Sequence, residues 1–176
     1  MVELSLQDRL QPALLDRLAD DEPDKKTEPR ENRVVTKNKL RQGVLRDLAW
    51  LFNAINLGSS VDFAGLPFAE HSVINFGITP LSGQAISSLE ALQIENMIRQ
   101  AIIHFEPRIS PASLQVEAFM TDLQLDHHNL ISVQIRGDLW AQPIPIELLI
   151  RTEIDLETGQ VEIRDLVNPA MSQGKR

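Results

Sequence analysis

Glu106, Pro107 and Arg108 stand together at the end of an apolar helical run, and their types suit two kinds of chemistry. A carboxylate and a guanidinium can act as opposite docking charges. Arginine's planar fork takes a carboxylate in two parallel bonds, and a glutamate receives a partner's arginine in the same way. A glutamate can also serve as the acid of a glycosidase, which needs a second carboxyl group roughly 5–9.5 Å away and a desolvating pocket for one of the two. Glu106 is a candidate for the first group, but Glu117, Asp122 and Asp126 read as strand-surface or turn residues, so no second one converges on it. His127-His128 suggests a metal, yet neighbouring side chains on an extended strand point to opposite faces, and only a turn brings both to one ion. The sequence holds no cysteine, and His71 and His104 lie far from that pair, so these read as turn histidines. There is no glycine-rich phosphate loop and no nucleophile-elbow serine.

The elements that must position these residues follow from the apolar period. Pro107 removes an amide donor and biases Glu106 away from helical angles, so a helix ends here, and Arg108 complements that end's dipole. The helix opens at Ser87-Ser88-Leu89-Glu90, a capping-box sequence, and buries Leu89, Leu92, Met97, Ile98, Ala101, Ile102 and Phe105. An earlier and stronger helical pattern runs from Lys37 to Asn56. Leu40, Val44, Leu48, Leu51 and Ile55 form its stripe, Leu45 and Phe52 widen it, and Arg41, Arg46 and Asp47 occupy other faces. Asp62 to Ser72 is an irregular connection, followed by the short apolar run Ser72 to Ile78.

Leu6, Leu10, Leu14 and Leu18 recur every four residues near the N-terminus, with Pro12 setting where the firm helix begins. Of the fourteen residues from Asp20 to Arg33, ten are charged and two are proline, the composition of a solvated linker. After Pro111 the period changes to two. Leu114 to Met120, Ile131 to Ile135, Ile146 to Ile154 and Val161 with Ile163 give four strands, joined through Asp126-His127-His128-Asn129, residues 138–145 and Glu157-Thr158-Gly159. Helices first and a mostly antiparallel four-stranded sheet second is an α+β fold. The organisation expected is an N-terminal amphipathic helix (1–19), a charged linker (20–36), one α+β domain (37–167) and a loose tail (168–176).

The chain has 176 residues, 43% hydrophobic, a formal charge of −8 and a pI near 5.0. That charge opposes phosphate neutralisation, which excludes nucleic acid as the main ligand. No run approaches the roughly 20 apolar residues of a membrane span, and the start lacks a basic-then-apolar signal, so a cytoplasmic protein without membrane insertion is expected.

Four phrases taken together resemble a known family. Leu14-Leu15-Asp16-Arg17-Leu18 is similar to the "LLDRL" start of TssE proteins, and Val44 to Asn53 resembles their "VLRDLxWLLN" helix. Ser72 to Ile78 is similar to "SVLNYGLP", with Phe76 in place of the tyrosine, and Phe105 to Ile109 resembles "FEPRL". TssE proteins resemble the wedge proteins of phage baseplates and belong to the type VI secretion baseplate. The resemblance therefore implies a non-enzymatic subunit that needs no cofactor, assembles at the inner membrane with TssF, TssG and TssK, and starts polymerisation of the TssB–TssC sheath. It also implies that Glu106, Pro107, Arg108, Leu14, Leu15, Arg17 and Leu18 bind partners, with strand addition at an open sheet edge as the mechanism. Glu162, Arg164 and Asp165 are expected to blunt the last strand. On this reading Glu106→Ala and Arg108→Ala stay folded and lose sheath assembly, whereas outright unfolding marks an internal clamp. Two other classes stay open: an anti-adaptor-like regulatory binding protein of the same fold, and a lysozyme-like enzyme, a label that relatives have carried.

Overall fold

In a computed structural model the described residues are 13–18, 36–82, 91–120, 130–141 and 145–167. The leucines before Ala13, the charged segment 20–33, the 87–90 cap, His127-His128 and the residues from 168 onward lie outside them. Helix α1 spans Leu14–Leu18, α2 Lys37–Asn53, α3 Pro67–Glu70 and α4 Ala91–Phe105; strands β1 Gln115–Met120, β2 Leu130–Leu139, β3 Ile146–Asp155 and β4 Val161–Asp165 follow.

Helix α2 starts where Thr36, held extended, accepts a hydrogen bond from the Lys39 amide at 3.2 Å. It stops at Asn53 rather than Asn56, because Ala54 to Asn56 turns away to pair with Ile78. The Asn56 amide donates to the Ile78 carbonyl at 3.1 Å, and the Ile78 amide to the Ala54 carbonyl at 2.9 Å. This close approach requires Gly77, whose φ is +125° and where a Cβ would lie 2.4 Å from the Ala54 oxygen. Gly77→Ala is therefore expected to destabilise the chain by at least about 1–3 kcal/mol through backbone strain alone, read as a lowered urea midpoint. The connection expected to be irregular contains α3 and is flanked by 3-10 turns at Leu57–Ser59 and Val73–Asn75.

The sheet is a meander in the order β1-β2-β3-β4, antiparallel throughout, with Val116 opposite Ile135, Ile135 opposite Ile150 and Ile154 opposite Val161. Its buried face carries Val116, Ile131, Val133, Ile135, Leu148, Ile150 and Ile154. Against it pack Val44, Leu48 and Leu51 of α2 and Ile94, Ile98 and Ile102 of α4, giving one continuous core and the α+β architecture expected from the period change. Each such leucine or isoleucine contributes about 1.5–3 kcal/mol on burial. Strand β2 runs to Leu139, beyond its alternating stretch, because its end gains a second partner. Ser110 donates to the Asp138 carbonyl at 2.9 Å and the Trp140 amide to the Arg108 carbonyl at 2.7 Å. The sheet thus reaches the turn that follows α4.

Candidate partner-docking site at the Glu106-Pro107-Arg108 turn

Helix α4 ends as Pro107 dictates. The Glu106 amide still donates to the Ile102 carbonyl at 2.8 Å, and the Ile109 amide closes the turn on the Glu106 carbonyl at 3.1 Å. Pro107 faces solvent, while Arg108 folds back on Glu106. Arg108 Nε donates to Glu106 Oε1 at 2.6 Å, and Arg108 Nη2 donates to Glu106 Oε2. The Glu106 side chain is only 3% exposed. The pair expected to project from the helix end is therefore turned inward: a carboxylate removed from water on a helix end stays there only with its counter-charge on it.

Arg108 also reaches α2, its Nη2 donating to Asp47 Oδ2 at 2.5 Å. Asp47 Oδ1 accepts from Arg46 Nε at 2.9 Å, and Arg46 Nη1 donates to Asp16 on α1. Charges of alternating sign thus run Glu106, Arg108, Asp47, Arg46, Asp16, joining α4's end to α2 and to α1. Burial alone would lower the Arg108 pKa, but the hydrogen bonds and charge of Glu106, and then those of Asp47, outweigh it and leave it raised. The Arg46 pKa is raised chiefly by its hydrogen bond to Asp16. Both guanidiniums therefore keep their charge.

Arg46 lies over the Trp50 ring, 5.1 Å from its centroid, and so props a tryptophan that is 52% exposed. Trp50, Leu15, Leu48, Leu51, Phe76, Phe105 and Pro107 line a shallow apolar groove of about 410 Å³. The Phe76 and Phe105 rings meet edge to face at 5.4 Å, so the phenylalanine standing for the family's tyrosine packs through its ring. Trp140, exposed and bonded by its amide to Arg108, stands beside the same turn. An exposed tryptophan over an apolar groove is a usual making of a binding hot spot.

Among the residues expected to bind partners, Glu106 and Arg108 meet in the clamp, and Pro107 and Leu15 line the groove. Leu14 and Leu18 are exposed on α1, and the Arg17 side chain lies outside the described residues. Asp16, Arg46, Asp47 and Trp50 complete the site without having been singled out; their presence in two of the quoted phrases was the available signal. His71 and His104, distant in sequence, bring their rings to 4.8 Å, yet among the described residues no group of three or more His, Cys, Asp or Glu is placed to hold a metal.

A second charge pair corrects two expectations. Arg41, assigned to a polar face, is 3% exposed, and Asp165, assigned to blunting the sheet edge, is buried with it. Arg41 Nε and Nη2 donate to the two Asp165 oxygens at 2.5 and 2.7 Å, and Nη1 donates to the Glu147 carbonyl at 2.6 Å. On the helical wheel Arg41 falls between Leu48 and Phe52, inside the apolar stripe, which was the overlooked sign of a buried partner. Ile55, placed on that stripe, is exposed because the helix has already ended.

Both sheet edges carry side chains of the chain's own helices. On β1 the Ala118 amide donates to Glu95 Oε1 at 2.9 Å, and just before the strand Arg99 Nη1 donates to the Leu114 carbonyl at 2.8 Å. On β4 the Val161 amide donates to Asn53 Oδ1 at 3.0 Å while Asn53 Nδ2 donates to the Val161 carbonyl at 2.9 Å. These bonds count against strand addition at those positions, since an incoming strand must first displace them.

Fold and site together define a small α+β protein whose ordered charges bind one another and whose aromatic surface faces outward, the design of an assembly subunit. The chain belongs to the baseplate wedge protein gp25 family, whose model matches residues 38–144, from the start of α2 to the end of the β2–β3 connection. That family is a structural component of baseplates. No curated protein and no solved structure matches the chain. Among the described residues no helix is long and apolar enough to cross a membrane.

Proposed function

We propose that the chain is a TssE-type wedge subunit of a type VI secretion baseplate, joining TssF and TssG beside TssK and offering a platform on which the TssB–TssC sheath begins. It acts by binding, without catalysis, in the cytoplasm at the inner membrane. The observation that carries this reading is the run of ion pairs from Glu106 to Asp16, which ties the "FEPR" turn to α1 and leaves Leu14, Leu18, Trp50 and Pro107 outward. Pro107, Leu14, Leu15 and Leu18 make direct contact with partners, with Arg17 on the same helix. Glu106 and Arg108 act from inside, by holding the groove in shape. The segment 1–19 docks on a charged tether (20–36), the domain 37–167 forms the body, and 168–176 is a tail.

The covered sheet edges favour this groove over strand addition as the docking surface. Against the enzyme reading stands that both Glu106 oxygens accept from Arg108. Co-expression with TssF and TssG, followed by capture on a tagged copy of the full chain, tests the proposal. The parent is expected to retain both partners. Trp50→Ala, with an unchanged melting curve, is expected to weaken retention by about tenfold or more. Capture of a protease adaptor instead of wedge proteins, or peptidoglycan turnover lost in a folded Glu106→Gln protein, would overturn it.

A further inference from the structure

We infer that the surface formed by the turns Leu57–Ser59 and Val73–Asn75 and helix α3 receives an amphipathic segment of a neighbouring protein, apolar on one side and bearing lysine or arginine on the other. Leu66, Phe68, Val73 and Ile74 are all exposed here, Phe68 to 92%. Such a concentration of outward apolar side chains marks an interaction site when the backbone beneath is fixed. That backbone is fixed: the Gly58 amide donates to Asn75 Oδ1 at 2.8 Å, Asn75 Nδ2 donates to the Glu70 carbonyl at 2.9 Å, and Ser72 Oγ donates to the Ala69 carbonyl at 2.8 Å. These bonds brace the backbone from within the surface itself. None of the residues of the Glu106 clamp takes part, so this surface stands or falls apart from the wedge proposal.

Charge selects the occupant. Between Arg46 and Arg99 the sequence contains neither lysine nor arginine. From residue 57 to residue 75 the acidic residues are Asp62 and Glu70, which line a cavity of about 530 Å³ with Asn56, Asn75 and Thr79. An anionic lipid surface would meet repulsion here, and so would a second copy of a chain of formal charge −8, whose two-fold contact sets like against like. A basic side chain entering the cavity would meet carboxylate and amide oxygens, while its apolar neighbours rest on Phe68, Val73 and Ile74. Arginine in such a pocket is a characteristic interface anchor.

The test uses the full chain and a fluorescein-labelled helical peptide of leucine and lysine, with a leucine–glutamate peptide of the same pattern as its counterpart, read by anisotropy. The lysine peptide is expected to bind and the glutamate peptide not. Phe68→Ser is expected to weaken binding at least about tenfold. Glu70→Gln is expected to weaken it less and to flatten its salt dependence. Trp50→Ala, which alters the other surface, is expected to bind as the parent does. Phe68 is so exposed that its substitution leaves the melting curve in place; should it not, Val73→Ser serves instead. Equal binding by the parent and both serine variants overturns the inference. So does a dimer in light scattering that Phe68→Ser abolishes, which assigns the surface to a second copy, or binding to phosphatidylserine vesicles.

Discussion

Replacing Arg41 by alanine is expected to lower the free energy of unfolding by about 3–5 kcal/mol, measured by urea denaturation. The guanidinium bridges the start of α2 and the end of β4, and it serves three acceptors at once. Side-chain exposure at the pair is 4% for Arg41 and 0% for Asp165, so water cannot replace what is lost. Removal takes the guanidinium from a buried carboxylate and uncovers the Glu147 carbonyl where β4 departs from β3. Arg41→Lys is expected to recover only part of the loss, since one compact ammonium cannot reproduce a planar fork across both oxygens and the carbonyl. Replacing both partners, Arg41→Met with Asp165→Leu, is expected to be much milder than either single change, because no charge is then stranded. A loss under about 1 kcal/mol for Arg41→Ala would mean that the pair is wet in solution, as exposed pairs are.

Glu106→Ala is expected to cost a similar amount, about 3–5 kcal/mol, and to do so without any partner present. It removes a buried carboxylate and leaves Arg108 with Asp47 alone. Arg108→Ala is the harsher change, since it takes the counter-charge from the buried Glu106 carboxylate, whereas the Arg108 left by Glu106→Ala is a quarter exposed. The Asp47→Ala change is expected to be smaller, about 1 kcal/mol, since Asp47 and Arg108 are each about a quarter exposed and solvent screens them. A double-mutant cycle between positions 106 and 108 should then show strong coupling, and one between 47 and 106 weak coupling. This ordering reverses the result expected for a pair of free docking charges, in which both alanine variants melt as the parent does. If Glu106→Ala does melt as the parent, the carboxylate is not the internal partner described above.

Local rules made much of this structure readable. Pro107 dictated where α4 stops, and the alternation from Leu114 onward laid out four strands whose order is their sequence order. What escaped was decided at long range. Arg41 and Asp165 lie 124 residues apart, and nothing near either announces the other. The early end of α2 depends on Gly77, which only matters once Ile78 lies beside Ala54. The Glu106 pair was visible as chemistry, but its direction was not, because a turn's hand is set by what lies beneath it, here Asp47 on another helix. Conversely, the quoted phrases held more than resemblance. Asn53 closes β4, Asn75 braces the Gly58 turn, and Asp16 anchors α1.

Asn53 has a consequence for how copies of the chain behave in a crowd. Its amide presents to Val161 the same donor and acceptor that a neighbouring strand would, so it acts as a decoy against fibrillar stacking. Glu95 and Arg99 do the same on the opposite side of the sheet. Cross-β growth at either edge must first displace these three side chains. Rotation of a single asparagine would re-open the β4 end, whereas the β1 end is held by two residues one helical turn apart. The β4 edge is thus the easier of the two to expose.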